Sequence, residues 1–219
     1  MRAHDASSYY QTRWQTEGRT NAWAMQRAGN ILREISFLEL ETPRFLDYGC
    51  GTGWLTAVLD EFGESVGVDL APDAARRRYP HITFLDANEP IPPGSFDVVV
   101  SQEVIEHVND QRGYLENAAN ALRRGGYLIM TTPNDLVTRY HPGLKIQPVE
   151  NHLTPRALKR LLRERFQILK FSCFLWGFAR RPLNSYKLNY ALDAIRVGTL
   201  FRQSTWAGLH LFAVARRAE

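Results

Sequence analysis

The chain has 219 residues, 44% of them hydrophobic and 23% charged, with two cysteines and a formal net charge of +4. That size and balance exclude a disordered, collagen-like or disulfide-scaffolded protein, and a core of this size needs no metal or disulfide staple. Residues 1–110 hold 9 Lys and Arg against 17 Asp and Glu, and residues 111–219 hold 18 against 6. Such a split fits a nucleic-acid, membrane or acidic-substrate face, or an arginine-rich coding bias.

The polar start MRAHDASSYY lacks the apolar run of a secretory signal, and the longest aromatic-aliphatic stretch, 171–179, is far shorter than a bilayer span. A single cytoplasmic domain over 1–219 is expected. Tyr9, Tyr10 and Trp14 form an aromatic cluster ahead of a first helix within residues 1–43. Strand-length apolar runs at 44–48, 65–69, 82–85, 97–101 and 127–132 then alternate with helical patterns, which predicts parallel strands joined by helical crossovers. The helix over 53–62 carries Leu55, Val58, Leu59 and Phe62 on one face. The helix over 114–123 carries Leu115, Ala118, Ala119 and Leu122, and is expected to stop at Gly125-Gly126. Thr154-Pro155 opens another helix, with Leu158, Leu161 and Leu162 as its buried stripe. Two more strands, 167–176 and 208–216, flank an insertion at 180–206 in which Leu188, Leu192 and Ile195 space out a helix face. The reading is an α/β, Rossmann-like, seven-stranded and mostly parallel sheet with an antiparallel last strand and helices on both faces.

The segment FLDYGCGTG (45–53) runs from a strand through a glycine turn into a helix, the geometry that lets a ligand approach the carboxyl edge of a sheet. Its G-x-G-x-G spacing differs from the dinucleotide fingerprint G-x-G-x-x-G, and Asp47 would repel a pyrophosphate but attract a cationic amino-acid end. Asp69 ends the second strand, where an acid can accept both ribose hydroxyls, and Asp86 follows the third, where a carboxylate can receive an adenine amine. The ligand fitting this series is an amino acid joined to a nucleoside. As an alternative, the glycines are a tight turn and the three Asp residues are turn formers.

These residues resemble the class I S-adenosylmethionine-dependent methyltransferases, closely over 45–134 and by order of elements elsewhere; FDVVV (96–100) and LRRGGYL (122–128) resemble the family's fourth-strand motif and its turn into the fifth strand. The resemblance implies S-adenosylmethionine as cofactor. It would be held by Asp47, Gly49, Cys50, Gly51 and Gly53 at the methionine end, by Asp69 and Leu70 at the ribose, by Asp86 and Ala87 at the adenine, and by Ser101 and Gln102 at the switch point. It also implies that the segment bearing Tyr9, Tyr10 and Trp14 folds over the cofactor as a lid; simple packing of these aromatics is the other reading.

SQEVIEHV (101–108) resembles a stretch of the ubiquinone-biosynthesis O-methyltransferase-like subgroup. On a helix Glu103, Glu106 and His107 would share one face and bind a divalent metal, present a catalytic base to the acceptor, or merely brace the surrounding loops. No metal site is assigned. Asn134 is expected at the pocket rim, and His152, just before the helix at Thr154, in a capping, gating or catalytic role. The basic, aromatic segment 180–206 is a pocket cover, a dimer contact or a peripheral membrane contact, so the chain is expected as monomer or homodimer. A small-molecule hydroxyl is the expected acceptor and no nucleic acid is expected. An RNA methyltransferase and a noncatalytic cofactor-binding module are the alternatives.

Overall fold

The computed structural model describes residues 3–16, 22–140, 147–178, 181–182 and 208–218. Two helices come first, α1 (Ala3–Thr16) and α2 (Ala22–Ser36). They are followed by β1 (Phe45–Tyr48), α3 (Trp54–Asp60), β2 (Ser65–Asp69), α4 (Asp73–Arg78), β3 (Thr83–Asp86) and β4 (Phe96–Gln102). A 3-10 turn (Ile105–His107) then leads into α5 (Gln111–Ala121), β5 (Leu122–Pro133) and α6 (Asp135–Thr138). The remainder is α7 (Pro155–Leu162), β6 (Phe166–Phe178), the two-residue β7 (Arg181–Pro182) and β8 (Gly208–Arg217). The sheet order is β3-β2-β1-β4-β5-β8-β6-β7. Strands β1 to β5 pair in parallel, and β8 lies antiparallel between β5 and β6. The expected seven strands are therefore present, with β7 as an eighth, two-residue strand paired antiparallel beside the end of β6.

The period-two pattern of the strands sends alternate residues to two cores. Phe45, Val98, Val100 and Ile129 pack with Ile31 and Ile35 of α2 and Leu55 and Leu59 of α3 on one face. Leu46, Val99, Leu128 and Met130 pack with Leu115 and Ala118 of α5 and Leu158 and Leu162 of α7 on the other. Fully burying such a side chain is worth about 1.5–3 kcal/mol, and the double-sided burial explains why the central strands read as near-continuous apolar runs. The α7 start is as expected: the Thr154 hydroxyl accepts the Ala157 N–H at 3.2 Å, with Pro155 at the first turn.

Several local expectations are corrected. α5 ends at Ala121, because Leu122 already pairs with Phe96 of β4. Gly125, at φ 72°, bends the start of β5 and does not cap the helix. α3 buries Leu55 and Leu59, whereas Phe62 lies past the helix end and is 56% exposed. Tyr9, Tyr10 and Trp14 belong to α1 itself and do not precede the first helix. Most of 180–206, including Leu188, Leu192 and Ile195, lies outside the described residues. No helix among the described residues is long and apolar enough to cross a membrane.

Candidate active site

The strand order reverses between β1 and β4, which opens a crevice beyond their carboxyl ends. There a cavity of about 790 Å³ is lined at one end by the glycine turn and at the other by residues from α2, β4 and β8. Gly49, Gly51 and Gly53 have φ of 93°, 55° and 77°. The turn is tied down by the Gly49 and Cys50 N–H groups, which both donate to the Val68 carbonyl, at 2.7 and 3.0 Å. A Cβ on Gly49 would fall 2.4 Å from Val104, and one on Gly51 would fall 3.3 Å from Trp14, so the cradle tolerates backbone only.

Two buried acids flank the cradle. Asp47 accepts the Thr56 hydroxyl at 2.7 Å, and burial, reinforced by the charge of Asp69, pushes its pKa up to about 7. Asp69 accepts the Gly51 N–H on one oxygen at 2.9 Å. On the other it accepts the Ala71 N–H at 3.0 Å and the Trp14 indole N–H at 3.1 Å. Leu70 accepts the Ser7 hydroxyl at 3.0 Å, and the Ala87 N–H donates to the Asp69 carbonyl. Asp86 turns away to accept the backbone and side-chain N–H groups of Asn88, leaving Ala87 as the residue of that turn on the cavity wall. Cys50 is buried, and burial raises its thiol pKa, so it packs and does not attack. Ser101 is also buried, its hydroxyl 2.9 Å from that of Tyr114.

α1 closes over this end. Tyr10 stacks on Trp14 with ring centroids 5.7 Å apart, and Tyr9 meets Tyr10 edge-on. The Tyr10 hydroxyl donates to Gln147 Oε1 at 3.1 Å, and Gln147 Nε2 lies 2.8 Å from His107 Nε2. His107 Nδ1 lies 2.8 Å from the Val149 carbonyl, which only accepts, so Nδ1 carries the proton and Nε2 receives the Gln147 amide. Burial lowers the His107 pKa and keeps the ring neutral. Both of its nitrogens are thus engaged in holding the 3-10 turn to the 147–152 segment, to which Tyr10 also ties α1.

Glu103, Glu106 and His107 do not share a helix face. Only Ile105–His107 is helical, as one 3-10 turn, and Glu103 precedes it with a left-handed φ of 57°. Glu106 is buried and accepts the Thr132 hydroxyl at 2.9 Å. Burial, with the charge of Glu103, drives its pKa well up. Glu103 lies 2.8 Å from Nδ1 of His210 on β8. Burial alone would raise its pKa, but the pull of His210, when that ring is protonated, and the charge of Arg27 outweigh it and hold it at about 2. Among the described residues no three His, Cys, Asp or Glu side chains gather as a metal site.

Asn134 and His152 have different settings. Asn134 is fully buried, donates to the Gly208 carbonyl and caps α6 through the Leu136 N–H, which makes it a brace between β5 and β8 and not a rim residue. His152 lines the cavity, its nitrogens 2.6 Å from the Thr138 hydroxyl and 2.7 Å from Glu150. The cavity also contains Trp23, Arg27, Gln147, Glu150 and His210, none of which the sequence reading named. His210 alone left a trace there: it is a lone imidazole in the apolar strand GLHLFAVA.

Comparison with known proteins agrees with this geometry. Residues 20–169 match the family model described as a methyltransferase domain. The chain is 36% identical over 105 residues to a "Probable S-adenosylmethionine-dependent methyltransferase" of Mycobacterium tuberculosis, covering 45% of this chain and 38% of that protein. It is 34% identical over 112 residues to the "Ubiquinone biosynthesis O-methyltransferase" of Xanthomonas euvesicatoria, covering 44% and 46%. The aligned region thus spans less than half of either relative. The N-methyltransferase NodS of Bradyrhizobium japonicum, solved with S-adenosyl-L-homocysteine, has the same fold at a TM-score of 0.66, with 18% identity over 98% of this chain and 100% of that one. The chain belongs to the methyltransferase domain family, the S-adenosylmethionine-dependent methyltransferases.

Proposed function

We propose that the chain transfers the methyl group of S-adenosylmethionine to a hydroxyl of a small molecule. The observation that carries this reading is one continuous cavity joining a glycine cradle with two buried acids to a lobe containing Glu103 and Glu106. The cradle fits the cofactor, since its positive-φ glycines bare the backbone and Asp47 has one carboxylate oxygen beyond its bond to Thr56. Asp47 would pair with the cofactor's ammonium, Gly49 to Gly53 would line its methionine part, Asp69 and Leu70 would meet the ribose, and Ala87 the adenine.

Bound S-adenosylmethionine supplies a methyl already activated on a sulfonium, so the protein's work is alignment, exclusion of water and removal of the acceptor's proton. α1 serves the second task, covering the cradle through Trp14 and Tyr10. Glu106 and His107 shape the wall between the two lobes, being tied to Thr132, Gln147 and Val149. Glu103 reaches the acceptor lobe with an oxygen that has no hydrogen-bond partner among the described residues. The test is calorimetry with S-adenosylhomocysteine, followed by transfer of labelled methyl to a panel of small hydroxyl compounds and to RNA. Wild type binds, and Asp69→Ala binds roughly 100-fold more weakly, about 2.7 kcal/mol, for the loss of charge-assisted hydrogen bonds. A folded wild-type protein that does not bind, or label that goes to RNA alone, would overturn the reading.

A further inference from the structure

The acceptor lobe contains a cluster of buried polar atoms without hydrogen-bond partners among the described residues: Arg27 Nε, Gln102 Oε1, Glu103 Oε1 and both ring nitrogens of His210. Buried polar groups are normally satisfied, and leaving one unmade costs about 1–3 kcal/mol, so several together on one cavity wall mark a place for a polar ligand. These residues come from α2, the end of β4 and the turn after it, and β8, and they line the same cavity as the glycine cradle.

The side chains are held in place from behind. His210 is 5% exposed, stacked on Phe174 at 5.4 Å and met edge-on by Trp23 at 6.3 Å. Its Nδ1 lies 2.8 Å from Glu103 Oε2, an ion-pair distance, and its Nε2 has no partner among the described residues. Glu103 reaches this position through its left-handed backbone, a conformation that costs a non-glycine residue about 1–2 kcal/mol and persists where the surroundings demand it. His107, by contrast, has both nitrogens engaged.

We propose that Glu103, His210 and Arg27 form the acceptor-recognition end of the cavity, and that His210 takes the proton of an acceptor hydroxyl. This rests on the reading of the cavity as a methyl-transfer site. The O–H bond breaks toward an imidazole nitrogen while the oxygen bonds the methyl carbon, and the departing sulfur keeps the electron pair of the broken S–C bond. The positive charge that leaves the sulfonium reappears on His210, where Glu103 lies beside it. Arg27 offsets the charge of Glu103 before reaction, so the lobe gives little attraction to a cationic amine and suits a neutral or anionic hydroxyl compound.

Catechol serves as the probe. Protein labelled with nitrogen-15 in its histidines and saturated with S-adenosylhomocysteine is titrated with millimolar catechol by NMR, the His210 signals being assigned by their loss in His210→Gln. Catechol is expected to shift the His210 ring signals and leave those of His107 in place. His210→Gln and Glu103→Gln are each expected to weaken catechol about tenfold or more while retaining S-adenosylhomocysteine affinity within about twofold. A shift at His107 instead, or no shift at His210, overturns the proposal. Loss of S-adenosylhomocysteine binding by wild type would instead overturn the reading of the cavity itself.

Discussion

The two ends of the cavity are built on opposite terms. At the cradle both carboxylate oxygens of Asp69 are bonded to protein N–H groups, and the turn itself is hydrogen bonded to β2. At the other end Arg27, Gln102, Glu103 and His210 are buried with polar atoms unmatched among the described residues. The cradle is therefore organised before any ligand arrives, which lowers the ordering cost of binding, whereas the other end holds groups left unsatisfied among the described residues. Buried groups of the second kind detract from stability unless a partner satisfies them.

Substitutions at the two ends should differ most in their effect on unfolding. Gly49→Ala places a methyl 2.4 Å from Val104 at φ 93°. It should destabilise by about 2–4 kcal/mol, against about 1 kcal/mol for Gly94→Ala, where φ is 63° but nothing lies within 4 Å. Gln102→Met removes an unmatched buried oxygen without taking away a charge, and should leave stability within about 1 kcal/mol of wild type, on either side. Denaturant melts in which Gln102→Met loses as much as Gly49→Ala would show that this end of the cavity is structural after all.

A smaller effect separates the ends by pH. Asp47 titrates at about 7, chiefly because of burial, while Glu103 stays ionised over the same range. A carboxyl with a raised folded pKa holds a proton that the unfolded chain has lost, so its contribution makes the fold less stable as pH rises from about 4 to about 7, and level above. Ligand binding runs the other way, because an ammonium needs the carboxylate. S-adenosylhomocysteine should bind roughly eightfold more weakly at pH 6 than at pH 7.5, releasing a proton at the lower pH. Calorimetry in buffers of different ionisation heat measures both, and Asp47→Asn should abolish the dependence.

The same contrast decides what the sequence could reveal. The cradle is legible because it is local: Asp47 and Gly49 to Gly53 lie within one strand-turn-helix, and Asp69 ends the next strand. The sheet was equally readable, since double-sided burial turns β1, β4 and β5 into apolar runs. Helix ends were less so. Leu122 has helical spacing, but pairing with Phe96 draws it into β5, a tertiary contact that no local pattern announces. The acceptor lobe was hidden for the same reason on a larger scale. A helical reading of SQEVIEHV puts Glu103 beside His107, whereas the left-handed backbone at Glu103 brings it to His210, more than a hundred residues away. Arg27 had no motif around it, and its role depends on how α2 packs against β4 and β5.

The α1 helix would compete with a bound ligand for one acid of the cradle. A carboxylate offers about four acceptor positions. Asp69 has three in use, by Gly51, Ala71 and the Trp14 indole, and two ribose hydroxyls would need two. The two backbone bonds are fixed by the turn, so the indole is the donor that must yield. Trp14→Phe keeps an aromatic ring over Gly51 and removes only the competing N–H. Its S-adenosylhomocysteine affinity should therefore rise about fivefold, the equivalent of about 1 kcal/mol for one hydrogen bond no longer surrendered. A fivefold fall, measured by the same calorimetry, would mean that the indole stays on Asp69 and shares the carboxylate with the ribose, making Trp14 part of the binding site and not a latch that opens to admit the cofactor.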